Sequence, residues 1–252
     1  MIRRLLLTLS LLAGVAAWHP AAAHGQPLVR LSIVDRDTGA ELPQYPGRGQ
    51  RWIAGAPGHR YAVRLANLGS ERVLVVLSVD GVNAVSGETA AASQGGYVLD
   101  PWETADIAGW RKSLEDVAAF VFTDLGDSYA ARTGRPDDVG VVGIAVFRER
   151  VPAWRRPPVA IAQAPARAAP PTAAREAADA SKQALGTGHG EREFAPVATT
   201  AFVRASRTPA QVDELRYDDE RRLAALGILP RRSPARVPRA FPGGFVPDPP
   251  AG

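Results

Sequence analysis

The chain has 252 residues, no cysteine, and 30 basic against 26 acidic side chains. Without cysteine, disulfides, thiolate metal sites and cysteine-nucleophile mechanisms are excluded. The net positive charge is unevenly placed: residues 27–150 carry 13 basic and 16 acidic groups, whereas 151–252 carry 15 and 10. The part with a folding pattern is slightly acidic, so no nucleic-acid partner is expected.

The N-terminus reads as an export signal. Arg3 and Arg4 precede an apolar run from Leu5 to Val15, and small residues end in Ala21-Ala22-Ala23, an A-x-A cleavage site. That predicts a signal peptide over residues 1–23 and a periplasmic or extracellular mature chain. No later stretch approaches the ~20 apolar residues of a membrane helix, so no span is expected after cleavage.

Short β-type runs separated by turns follow. Leu28 to Asp35 alternates and turns at Asp37-Thr38-Gly39; Arg51 to Ala54 is stopped by Gly55-Ala56-Pro57-Gly58; Tyr61 to Leu65 ends at Asn67-Leu68-Gly69-Ser70. Val73 to Val79 is apolar almost throughout, as in a strand covered on both faces. Asp80-Gly81 after it signals a two-residue hairpin with both turn residues at φ > 0, where asparagine would serve as well as Asp80. Tyr97 to Leu99, Thr104 to Trp110, Val117 to Thr123 and Val139 to Phe147 complete the set. Pro101 presets a type I turn over residues 100–103, and Asp127 can cap one helical turn ending near Gly134. The pattern predicts an all-β domain over residues 27–150, an immunoglobulin-like or jelly-roll-like β-sandwich.

Residues 151–185 switch to alternating proline and alanine and read as a disordered linker. Residues 186–230 regain structure as a small C-terminal β/α extension docking on the sandwich, with strand character from Phe194 to Ala205. Beyond it two readings stand. Thr208-Pro209-Ala210-Gln211 suits a capping box opening one helix to Leu226. The preferred alternative is a strand to Tyr217, then a helix entered through Asp218, Asp219 and Glu220 and closed by Gly227. Residues 231–252 read as a disordered tail.

Several segments carry a resemblance: Ala54-Gly55 with Pro57-Gly58, Leu77 to Asn83, Val85-Ser86-Gly87, Gly96 to Leu99, Ile107 to Ser113, Ala119 to Phe122, Gly186 to Glu193 and Arg216-Tyr217-Asp218. On these the chain resembles a family of exported β-rich proteins of Gram-negative bacteria that has no assigned activity. The resemblance implies export and a shared fold, and no catalytic residues.

Four residues are candidates for ligand binding. Asp80 and Asn83, with Ser86 and Glu88, form the richest polar cluster, and their alternative role is to make the turn and bond local backbone. Trp110 and Arg111, with Trp102 and Lys112, could form an aromatic and basic platform, the alternative being core packing. Metal candidates are His24, His59, His189 and Glu191. Cleavage after Ala23 would leave His24 as an N-terminal copper chelate, a histidine brace completed by His59 or His189, and His189-x-Glu191 has ligand spacing. No hydrolase or phosphate-loop motif occurs. The leading expectation is a non-catalytic envelope or secreted module, without cofactor, that binds an envelope protein or a glycan; the alternative is a copper-binding β-sandwich using His24. Intact mass of the exported protein should correspond to a chain beginning at His24 or within a residue or two; a product retaining Met1 would refute the cleavage assignment.

Overall fold

A computed structural model describes residues 26–150 and 183–229. The expected signal peptide with His24, nearly all of the linker, and the tail lie outside the described residues. Eleven strands precede the linker: β1 (Val29–Asp35), β2 (Tyr45–Gly47), β3 (Gln50–Gly55), β4 (Arg60–Asn67), β5 (Val73–Val79), β6 (Val82–Asn83), β7 (Tyr97–Leu99), β8 (Thr104–Ile107), β9 (Gly109–Arg111), β10 (Asp116–Asp124) and β11 (Val141–Arg148). A helical turn, α1 (Tyr129–Arg132), lies between β10 and β11. After the linker come β12 (Leu185–Phe194), β13 (Gln211–Asp219) and α2 (Glu220–Ala225).

These form the expected all-β sandwich with a small C-terminal helix. One sheet runs β1-β4-β10-β12, and the β8–β9 run wedges into it by pairing with β4 through β8 and with β10 through β9. The other runs β2-β3-β13-β11-β5-β6, with β7 also on β5. Alternation sets the inner faces: Leu31, Ile33, Tyr61, Val63, Phe120 and Phe122 from the first sheet meet Val75, Leu77, Ile144, Val146, Leu215 and Tyr217 from the second. Each such fully buried side chain contributes roughly 1.5–3 kcal/mol of burial free energy.

The hairpin forms as its turn chemistry demands: Val79 pairs with Val82, and Asp80 and Gly81 sit at φ 52° and 71°. A second hairpin of this kind joins β2 to β3, with Arg48 and Gly49 at φ 53° and 72°. Three local expectations change. Ser128, whose Oγ accepts from Ala131 N, caps α1 in place of Asp127. The turn over residues 100–103 holds Trp102 at φ 62°, which a type I turn does not allow. Residues 186–193, with three glycines and no apolar run, hid a strand, because Gly186, Gly188 and Gly190 lie where a Cβ would press on Ser128, Thr123 and Val121. Residues 195–205 instead form an extended strap with one bridge, Glu149 to Arg204.

The strand-then-helix reading of the C-terminus is what the structure adopts. Asp219 caps α2 by accepting from Arg222 N, and Gly227 follows at φ 72°. The placement of β13 goes beyond docking. It lies between β3, to which it is parallel, and β11, to which it is antiparallel, inside the second sheet. With β13 removed, β3 and β11 have no common neighbour, and the pocket for Leu215 and Tyr217 is empty. A chain ending at Arg150 is therefore expected to lose cooperative unfolding, whereas protease nicking within residues 151–182 should leave two fragments that co-elute; a folded, stable 26–150 fragment would contradict this topology.

Candidate functional site

The four residues nominated for ligand binding are engaged by the chain itself. Asp80 is wholly buried. Its Oδ1 accepts from Gly140 N at 2.9 Å and from Tyr217 Oη at 2.6 Å, and its Oδ2 accepts from Thr187 N at 2.8 Å. Thr187 Oγ1 lies 2.6 Å from both Tyr217 Oη and Tyr61 Oη. Since Tyr217 gives its proton to Asp80, the hydroxyls align as a chain from Tyr61 through Thr187 and Tyr217 to the carboxylate. Asn83, also buried, donates to Gln94 Oε1 and Gly95 O and accepts from Val85 N and Ser86 N, which closes the loop over residues 84–96. Trp110 is core, edge-on to Phe120 at 4.8 Å. The Arg111 guanidinium donates to Ala195 O and so ties down the strap. No platform forms from this pair.

The metal candidates are dispersed. His59 Nδ1 lies 2.7 Å from Asp35 Oδ2. Among the described residues, Asp35, Asp37 and His59 are the group whose ligand atoms converge; His189 and Glu191 are elsewhere, with the His189 ring 5.8 Å from that of Tyr129. The Asp35 group is already committed. Asp35 Oδ1 accepts from Asp37 N and Thr38 N, while Asp37 accepts from Arg60 N and from the Arg60 guanidinium. Despite desolvation, the bonds from His59 and the two amides hold the Asp35 carboxyl below its ordinary range; backbone and side-chain bonds from Arg60 do the same for Asp37. This is a turn whose two carboxylates are already bonded, Asp35 by His59 and two amides and Asp37 by Arg60.

A concave site appears where the sequence offered no candidate. Beside β13, β3 covers only part of one edge: its pairing begins at Arg216 with Trp52 and runs toward Asp219. Below Arg216 the β2–β3 hairpin turns away and leaves a notch of about 480 Å³, lined by Gly47, Gln50, Arg51, Asp213, Glu214 and Arg216. The bond from Tyr217 N to Gly140 O fixes the phase of the β11–β13 ladder. By antiparallel alternation, Gln211, Asp213 and Leu215 bond β11, so Val212 and Glu214 direct N–H and C=O toward the edge that β3 leaves uncovered, Glu214 at the notch and Val212 next to it. Two of these groups are held: Asp213 Oδ1 accepts from Glu214 N at 2.9 Å, and Arg51 Nη2 donates to Glu214 O at 3.3 Å. Arg51 and Asp213 also pair with each other. On the outer face Val212 is 65% exposed. A shallower depression of about 200 Å³ continues past Val212 and Glu214 over Gly143 and Ala145 to Ala91. The ambiguous period of residues 209–217 concealed this site; the Arg48-Gly49 pair between β-type residues was the one available signal.

No family model, curated protein or solved structure matches the chain.

Burial pushes the Asp80 carboxyl up to about 6, against the bonds from Tyr217, Thr187 and Gly140 that hold it down. An acid whose folded-state pKa exceeds its unfolded value binds its proton more tightly when folded, so its contribution to stability grows as pH falls through 6 toward 4. Burial raises Asp218 as well, and a single variant separates the two. Asparagine at position 80 does not titrate and turns an amide N–H toward a backbone donor, so it is not the harmless exchange that the turn alone suggests. The stability advantage of the wild type over Asp80→Asn should widen by up to ~3 kcal/mol between pH 7.5 and 4 in urea melts. A pH-independent difference would show that Asp80 does not titrate there.

Proposed function

We propose that this chain is a non-catalytic, exported binding module that engages an envelope protein or glycan through the notch beside β13. The observation that carries the reading is the notch itself: a concavity at a partly covered strand edge, lined by two arginines and two acidic residues. The size falls in the range of roughly 300–1,000 Å³ typical of ligand sites. Export rests on the charged, apolar and small-residue order of the first 23 residues, together with the resemblance to exported β-rich proteins. A catalytic reading finds no support in the side-chain arrangement. Among the described residues neither His59 nor His189 hydrogen-bonds a hydroxyl, and the buried carboxylate of Asp80 is enclosed by its own chain.

Arrays of envelope glycans and of peptides, probed with the mature protein, should yield ligands whose binding weakens about tenfold or more in Glu214→Arg, a reversal at the notch rim. The melting temperature should change little, because Glu214 is exposed. Ligands indifferent both to Glu214→Arg and to Arg216→Glu would remove the notch as the contact site.

A further inference from the structure

We infer that the notch takes an extended polypeptide strand, which adds to the second sheet by pairing with the backbone of Val212 in the lane that β3 vacates. The inference rests on the binding-module reading above and specifies its partner class. The lane is defined by its neighbours. From β13, Asp213, Glu214 and Arg216 line the notch and Val212 is next along the same uncovered edge; β11 already occupies the far side of β13, and the end of β3 closes the lane at the level of Trp52. Four residues of strand span about 13 Å, and a strand seated there would lie about 4.8 Å from β13.

What the lane presents is main-chain chemistry. Alternation turns the Val212 N–H and C=O into it, a donor and an acceptor spaced for a peptide backbone. Arg51 and Asp213 already hold the corresponding groups of Glu214, so the accessible ladder is short and its centre is Val212. A sugar offers hydroxyls without that register; an extended peptide offers it at every second residue.

Side chains then set the preference. Val212, Glu214 and Arg216 share the outer face of β13, and residues directly opposite in a strand pair contribute through their side-chain contacts. The added strand should carry a β-branched residue opposite Val212 and a basic residue two positions away, opposite Glu214. Arg51 and Asp213 on the other face are paired with each other and add no net charge.

The test uses the mature chain and the peptide acetyl-Thr-Lys-Thr-Val-Thr-Lys-Thr-amide, which presents the same pattern whichever way it runs. Saturation should slow amide exchange at Val212 by about tenfold or more, with chemical-shift changes centred on residues 211–216 and the facing residues 47–51. Methylating the peptide nitrogens of its central valine and of the threonine after it, which between them supply the donor to Val212 O in either orientation, or exchanging both lysines for glutamate, should abolish the effect. In the protein, Val212→Pro removes the donor in the lane without touching the β11 ladder, a proline position tolerated on strand edges. It should keep cooperative melting and lose the peptide; if it fails to fold, the methylated peptide gives the same answer. Binding of a glycan at the notch without binding of any peptide overturns the strand proposal and leaves the binding-module reading in place. No ligand of either class at the notch overturns both. A Val212 amide already protected in the free protein shows the lane filled by this chain, or by a second copy where protection depends on concentration, and overturns the external strand.

Discussion

Asp80 places a carboxylate between the two sheets, where water does not reach, and three donors from three separate stretches of chain converge on it. Gly140 belongs to the approach to β11, Thr187 to β12 and Tyr217 to β13, while Asp80 itself turns β5 into β6. A buried acceptor left without donors costs of order 1–3 kcal/mol per lost partner, more when it is charged, so these stretches are held to one relative placement. The hydroxyl chain through Thr187 to Tyr61 extends the same constraint to β4 in the opposite sheet. The stacking of Tyr61 on Phe122, with centroids 4.2 Å apart, lies beside it in the core. Segments on either side of the linker are thus joined by polar bonds that only one register satisfies.

That constraint shapes the second sheet. β13 is fixed at its C-terminal end by Tyr217 and flanked there by β3 and β11. Toward its N-terminal end it keeps β11 but loses β3, because the turn at Arg48 and Gly49 sends β2 back along β3. Exposed strand edges invite unwanted pairing, and charged side chains blunt them. Arg51 and Asp213 fill that role over Glu214, while Val212 lies beyond their reach. The outer face near α2 is closed differently: Trp52, Leu223, Ile228 and Leu229 form a second apolar cluster, and the Trp52 indole N–H donates to Gly47 O at 3.0 Å. The C-terminal helix thus buttresses the hairpin that forms one wall of the notch.

The outward side of the first sheet carries paired charges. Arg64 makes two bonds to Asp106, Arg60 clasps Asp37, and Arg36 reaches Glu193. Exposed pairs of this kind contribute little to stability, roughly 0–1 kcal/mol each. Their consequence is that these arginines are already matched by carboxylates of the same chain, in contrast to the edge beside the notch, where Val212 turns main-chain groups outward.

Strand existence was legible because it depends on local pattern. Val73 to Val79 had to be buried on both sides, Asp80-Gly81 had to turn, and Asp219 with Gly227 had to bound a short helix; each follows from near neighbours in the chain. The glycine-rich β12 was illegible because its fitness as a strand lies in what its absent side chains make room for across β10. The role of Asp80 as an acceptor for Thr187 and Tyr217 was equally hidden, since those partners stand 107 and 137 residues away. The notch was hidden for the same reason: it depends on how far β3 runs beside β13, two strands far apart in sequence. Period and turn chemistry act over a few residues and decided which elements form; the order of the strands, and the gap they leave, rest on long-range hydrogen bonds and packing that only the folded chain brings together.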